Sequence, residues 1–240
     1  MKASGAPSRR LGAIIALEAE AAAILADGRF SWAEDGPGEF SSGSYPLRLA
    51  LCGVGKAFAS WACARLAPRL ERGRDLLVSL GTSGGLSKEK VGSLRLVGEF
   101  VEYDMDASGL GFERGLTPFS GAEEAVIRSL SPWAEELAAK ALEASGRRAD
   151  WARAASGDRF IQDAGEASAL REATGASIVD MESAAIAKLC AFRGHLDFLA
   201  LRYVSDNADH AAMESWTSRV ADASLDFDAF LFELARLSRP

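Results

Sequence analysis

One pattern constrains the fold of this chain more than any other. Short apolar runs end in small or acidic residues, and alanine-rich stretches with helical spacing follow them. Residues 11–17 are continuously apolar and read as a buried strand, and residues 18–25 continue with helical spacing. Residues 75–80 read as a second buried strand that exits through Gly81-Thr82-Ser83-Gly84-Gly85. Ser177, Ile178 and Val179 read as a short strand that turns at Asp180-Met181-Glu182 into a helix from Ala184 onward. Residues 197–204 form a further strand, ending in Ser205-Asp206-Asn207-Ala208-Asp209. Strands that alternate with helices in this way predict an α/β protein, a three-layer α/β/α sandwich around a central mixed sheet. Ligands in such sheets sit at the carboxyl ends of strands, where these small and acidic residues fall.

The remaining segments fill in the order. Residues 40–43 and 45–51 read as a hairpin through Ser44 that leads into Cys52-Gly53-Val54-Gly55-Lys56, where glycines permit a tight turn. Helices are expected over residues 58–70, 123–144, 164–174 and 216–237, and strands over 94–103 and 151–156. Residues 104–119 are irregular and glycine-rich, a loop long enough to be functional. Within it Asp104 and Asp106 offer carboxylates to a divalent ion, but without further oxygen ligands a loop-stabilising or interface role is favoured. With no internal repeat and no linker composition, 240 residues predict a single domain over 11–240 behind a loose leader, residues 1–10. That leader lacks the apolar run of a signal peptide, and no stretch reaches the length of a membrane span.

Composition narrows the chemistry. A net charge of -7 disfavours nucleic acid as a partner, since such binders carry a basic footprint. Only His195 and His210 are present, too few for a multi-histidine metal site. Cys52, Cys63 and Cys190 stand in apolar contexts without a Cys-x-x-Cys spacing, which predicts buried thiols in a reducing, cytoplasmic compartment and no structural zinc. Catalysis, if present, rests on carboxylates. Taken singly, each acidic strand end has a plain explanation as a helix cap or turn residue.

Together and in order, these strand ends carry more. Ser156-Gly157-Asp158-Arg159-Phe160-Ile161, Asp180-Met181-Glu182 and Arg202-Tyr203-Val204-Ser205-Asp206-Asn207-Ala208-Asp209 resemble signature segments of the purine nucleoside phosphorylase and nucleosidase superfamily. The similarity is greatest to the 5'-methylthioadenosine/S-adenosylhomocysteine nucleosidases and spans residues 11–237. The resemblance implies hydrolysis of a purine N-glycosidic bond without cofactor or metal. It implies that Asp206, aided by Ser205, is the general acid toward N7 of adenine, that Glu182 accepts from the ribose hydroxyls, and that Glu20 activates water. Phe160 would stack on the base, Ile161 would read its edge and Met181 would pack beneath the ribose. Leu17, Val54, Thr82, Ser83, Gly84, Asp180 and Trp216 complete the implied substrate contacts. Ala107, Leu110 and Pro118 match positions that line the 5' pocket from a second subunit, which implies a homodimer.

The sequence also departs from the usual pattern of the family it resembles. Thr82 and Ser83 stand where the nucleosidases usually show Ser then Ala, Asp180 where glutamate is usual, and Trp216 where a phenylalanine covers the ligand. Gly109, Leu110 and Arg114 occupy a region that is often more aromatic. Phosphorolysis on the same fold needs an anion site, whereas the first strand exits here through Ala16-Leu17-Glu18-Ala19-Glu20, two glutamates that would repel phosphate. Hydrolysis is therefore the favoured reading. The alternatives are a phosphorylase, a nucleosidase for another purine nucleoside such as futalosine, and a non-catalytic nucleoside-binding protein.

Overall fold

A computed structural model describes residues 8–86, 89–194 and 196–239. Of the expected leader, residues 1–7 lie outside the described residues, as does His195. Ser8 to Arg10 are held rather than loose: Arg9 N donates to Ser238 O at 2.9 Å, and Arg10 Nε to Asp75 Oδ2 at 2.7 Å.

The elements in chain order are β1 (Leu11–Ile15), α1 (Glu18–Ala26), β2 (Trp32–Gly36), β3 (Glu39–Ser42), β4 (Leu47–Leu51), α2 (Lys56–Leu66), β5 (Leu76–Gly85) and β6 (Leu94–Glu102). They continue with β7 (Val126–Arg128), α3 (Pro132–Ala144), β8 (Ala149–Ser156), α4 (Ala164–Thr174), β9 (Ile178–Asp180), α5 (Ser183–Leu189), β10 (Asp197–Asp206) and α6 (Ala212–Leu237). The ten strands found among the described residues join one mixed sheet. Strand β1 lies between β4 and β5, parallel to both, while β2, β3 and β4 form an antiparallel edge.

Side chains of β1 show why a continuous apolar run was needed. Leu11, Ala13 and Ile15 enter a core shared with α1, α3 and α6, whereas Ile14 enters a second core with α2 and α5. Alternate side chains face opposite sides of a strand, so a strand covered on both faces must be apolar at every position. Helix α6 presents Phe227, Phe230, Leu231 and Leu234 to the first core at helical spacing.

The sheet is not open throughout. Strand β5 pairs with β10, β10 with β6, β6 with β8, β8 with β9, and β9 with β5 again, so five strands close a ring. Closure depends on Gly81 to Gly85, expected as an exit loop but found as the second half of β5. There Gly84 and Gly85 pair with Val179 and Ile178 of β9. An ideal Cβ on Gly84 would lie 3.3 Å from Val179 and 3.0 Å from Asp206 Oδ1, so a larger residue crowds both.

One further expectation was incorrect in detail, and one strand was missed. The helix placed over residues 123–144 starts at Pro132, and Val126–Arg128 is a strand on β6. Proline fits the first turn of a helix but clashes within its interior, and the β-branched Val126 and Ile127 suit a strand. The edge strand Trp32–Gly36 was missed because it is largely solvated and lacks an apolar face. By contrast, α4 spans residues 164–174 as expected. Its start is set by Asp163, whose Oδ1 accepts from Glu166 N at 2.8 Å, and its end by Gly175 at φ 65°.

Candidate active site

The carboxyl ends of β1, β5, β9 and β10, with the turns after β4 and β8 and the start of α6, surround one cavity of about 410 Å³. That size is within the usual range for a small-molecule site. Leu17, Glu20, Val54, Thr82, Ser83, Gly84, Phe160 and Ile161 line it, as do Asp180, Met181, Glu182, Ser205, Asp206 and Trp216. These come from segments spread across nearly the whole chain. Ala107, Leu110 and Pro118 do not line this cavity; they lie in the loop between β6 and β7.

Glu20 is buried in the first turn of α1. Its Oε1 accepts from Thr82 N at 2.7 Å and Thr82 Oγ1 at 2.8 Å, and its Oε2 from Leu17 N at 3.3 Å. Burial pushes its pKa above the ordinary carboxylate value, and the Thr82 hydrogen bonds and Arg202 charge oppose that rise.

Glu182 follows β9 and takes a hydrogen bond from Gly55 N to Oε1 at 2.8 Å. Burial, reinforced by the charge of Asp180, lifts its pKa to about 7. The donating glycine has φ 100°, a conformation that side-chain-bearing residues rarely adopt, and Asp158 Oδ1 would be 3.0 Å from a Cβ there. Lys56 closes this corner: its Nζ pairs with Glu102 and Asp104, and its backbone N donates to Asp158 Oδ1 at 2.8 Å. Asp104 thus ties down the loop that begins beside it, and Asp106 accepts from Ser108 N at 3.0 Å and Ser108 Oγ at 2.6 Å. Among the described residues no cluster of His, Cys, Asp or Glu is arranged to hold a metal ion.

Asp206 ends β10 and is buried, which raises its pKa. Oδ1 accepts from Ala208 N at 2.8 Å, and Oδ2 from Ser205 Oγ at 2.8 Å. The Ser205 hydroxyl also reaches Ser83 O at 3.3 Å. It can therefore donate to the carbonyl while Asp206 is protonated, then turn to the carboxylate once the proton has left. Among the described cavity-lining hydroxyls, Ser83 Oγ alone is buried without a partner and free to meet a ligand.

Asp180 behaves differently from the ligand contact expected of it. Its Oδ1 accepts from Ser156 Oγ at 2.6 Å, Glu182 N at 3.2 Å and Ser183 N at 3.1 Å. Its Oδ2 accepts from Arg202 Nε at 2.8 Å and from Ser183 Oγ. Burial works against ionisation, but the Arg202 charge and these hydrogen bonds outweigh it and hold the carboxyl below its ordinary value. Five donors leave no acceptor site for a ligand, so Asp180 belongs to the wall and sets the Glu182 backbone. Arg202 was missed as a site residue, because an arginine inside an apolar strand gives no local hint of its partners. Its NH2 donates to Ser79 Oγ at 2.9 Å and Ser183 Oγ at 2.6 Å, and its NH1 to Ser79 O at 3.2 Å.

Arginines in the wall number two. Arg202 is fully engaged, and Arg159 stands exposed and paired with Glu166 at 2.6 Å. The geometry therefore offers buried carboxylates of raised pKa on several sides of the cavity and, among the described residues, no free cation in its depth.

Known proteins resemble this chain in sequence and in fold. A 5'-methylthioadenosine/S-adenosylhomocysteine nucleosidase from Haemophilus ducreyi is 28% identical over 183 residues, covering 74% of this chain and 76% of that one. The crystal structure of the Neisseria meningitidis nucleosidase of that name, in complex with methylthio-immucillin-A, superposes with a TM-score of 0.82 at 26% identity. It covers 94% of this chain and 98% of its own. The native futalosine hydrolase of Helicobacter pylori superposes equally well, with a TM-score of 0.82 over 95% of this chain and 98% of that one. At 22% identity, that likeness speaks to the fold alone. The sequence profile of the phosphorylase superfamily matches residues 10–236, from the approach to β1 to the last turn of α6, and the chain belongs to that superfamily.

Proposed function

We propose that this protein is a purine nucleosidase that hydrolyses the N-glycosidic bond of 5'-modified adenosines, such as methylthioadenosine or adenosylhomocysteine, releasing adenine and a 5'-substituted ribose. The observation that carries this reading is the placement of two separate buried carboxyls, Asp206 and Glu20, each with its pKa raised by burial, on one cavity. Departure of adenine needs a proton on its leaving nitrogen system, and water needs a base; one carboxyl cannot serve both at once. Asp206 supplies the proton, and Ser205 turns to stabilise the carboxylate left behind. Glu182 accepts from the ribose hydroxyls, and its charge offsets the positive charge that develops on the sugar. Ser83 Oγ and the Phe160 ring meet the base.

Hydrolysis is preferred to phosphorolysis on electrostatic grounds. A phosphate beside Glu20 and Glu182 would face like charge, and Arg202 has its donors committed to Asp180 and the two serines. A non-catalytic binding protein would need neither the acid nor the base. Futalosine, an alternative purine nucleoside substrate, stays among the nucleosides to be assayed.

The functional form is a homodimer. Leu110 and Phe119 are 71% and 89% exposed, and Val54, Phe58 and Trp61 of the α2 region are exposed as well. Lys56 and Asp104 tie these two segments together, and large apolar side chains left exposed on both suit a protein interface. Ala107, Leu110 and Pro118 then line the 5' pocket of the partner. Among the described residues no helix is long and apolar enough to cross a membrane, and the three cysteines are free and buried. A reducing, cytoplasmic setting suits those thiols, and residues 11–240 act as one domain.

Incubation with a panel of purine nucleosides, with and without phosphate, tests the reading. Free adenine and 5-substituted ribose are expected in phosphate-free buffer. Strict dependence on phosphate, with a ribose 1-phosphate product, overturns it.

A further inference from the structure

Glu20 has unequal oxygens. Oε1 takes two short hydrogen bonds from Thr82, whereas Oε2 takes one long contact from Leu17 N at 3.3 Å. The Thr82 hydroxyl has a single proton and two polar neighbours, Glu20 Oε1 at 2.8 Å and Trp216 Nε1 at 3.0 Å. An indole N–H only donates. The hydroxyl must therefore accept from Trp216, and its own proton is left for Glu20. Threonine's second β substituent narrows the choice of χ1 further.

We propose that Trp216 and Thr82 are positioning residues: the indole fixes the Thr82 hydroxyl as a donor to Glu20 Oε1, which leaves Oε2 as the oxygen that takes a proton from water. The proposal deepens the hydrolytic reading above and rests on it for the identity of the base. Trp216 acts through this polar chain rather than only as an apolar cover for the ligand.

A donated hydrogen bond favours the ionised carboxylate and so works against burial, which raises the pKa of Glu20. Other groups that face Glu20 act independently of the relay. Arg202 on β10 lowers its pKa, while Glu182 beyond β9 shares a repulsive coupling with it. The Cys52 thiol after β4 is pushed up to about 12 and stays neutral.

The test follows Glu20 directly. Protein labelled with ¹³C-glutamate is titrated by NMR, with the Glu20 carboxyl resonance assigned by its loss in Glu20→Gln. Thr82→Val removes the hydroxyl and keeps the backbone donor; the pKa of Glu20 should rise by about one unit, the worth of one hydrogen bond to a charged group. Trp216→Phe keeps the ring and should raise it in the same direction. In the Thr82→Val background Trp216→Phe should add nothing, because the relay is already broken. Thr82→Ser should stay close to wild type while Trp216 is present, and keeps the test available if the valine variant does not fold. An unchanged Glu20 titration in Trp216→Phe, or an equal shift with and without the hydroxyl, overturns the proposal. The acid limb of kcat/KM for adenine release should move up in pH with the Glu20 titration, with KM changed less than about twofold in Trp216→Phe. A moving titration with a stationary limb retains the relay and removes Glu20 as the base, so the two readings fail separately.

Discussion

Arg202 Nε donates to Asp180 Oδ2 across 2.8 Å, and both side chains are shut away from solvent. The pair spans β10 and the end of β9, and it fixes the turn from which Glu182 reaches the cavity. Burying two charges is costly, so such a pair adds little net stability, yet removing one partner strands the other. Arg202→Met should therefore lower the unfolding free energy by about 3–5 kcal/mol, measured by urea denaturation at pH 7. Because the folded Asp180 is held below 3.8, its contribution is present above that unfolded value and is lost as pH falls through the folded one. The difference between wild type and variant should accordingly shrink in acid.

Asp206→Asn keeps the shape and can still accept from Ala208 N, but its amide cannot accept from Ser205 Oγ as well and has no acidic proton to deliver to the base. A drop in kcat of about 10²–10⁴-fold is expected, with KM changed far less, since Phe160 and Glu182 still hold the nucleoside. Near wild-type turnover would reduce Asp206 to a loop cap.

Glu182 titrates near 7 in the folded protein against an ordinary value of 4.5. A raised carboxyl binds more protons folded than unfolded, so it contributes most at low pH and costs stability as pH rises through that interval. Glu182→Gln should raise the melting temperature at pH 8 and change it little at pH 4, by differential scanning fluorimetry. Binding and turnover should fall together in the same variant, because the ribose hydroxyls are held in both ground and transition states.

Gly55 holds Glu182 through its N–H from a backbone conformation open to glycine. Gly55→Ala should cost about 1–3 kcal/mol of stability and raise KM, as the Ala Cβ meets Asp158. An unchanged KM would show that the Gly55 contact does not orient Glu182.

Leu110 and Phe119 replaced together by serine should weaken the proposed dimer, seen as a monomer in sedimentation velocity. Adenine release from a 5'-modified adenosine should fall more than circular dichroism changes, since the missing contacts come from the second copy. A wild-type chain that sediments as a fully active monomer would remove this part of the reading.

What the amino-acid sequence determined by itself was the local structure. The apolar run of β1, the cap and glycine stop of α4, and the acidic strand ends are written in neighbouring residues, because side-chain periodicity and turn chemistry act over one or two turns of chain. Glu20, Glu182 and Asp206 were therefore legible as acidic strand ends, as was the glycine turn that carries Gly55, and only the family resemblance singled those three out as catalytic candidates. The tertiary structure decided the partnerships. Thr82 and Trp216 meet across 134 residues, Arg202 and Ser79 across 123, and β5 continues through its glycines only because β9 and β10 pair with it. Residue types announce the capacity to donate, accept or bear charge, but which donor finds which acceptor depends on how the sheet closes, and that closure is a property of the whole packed chain.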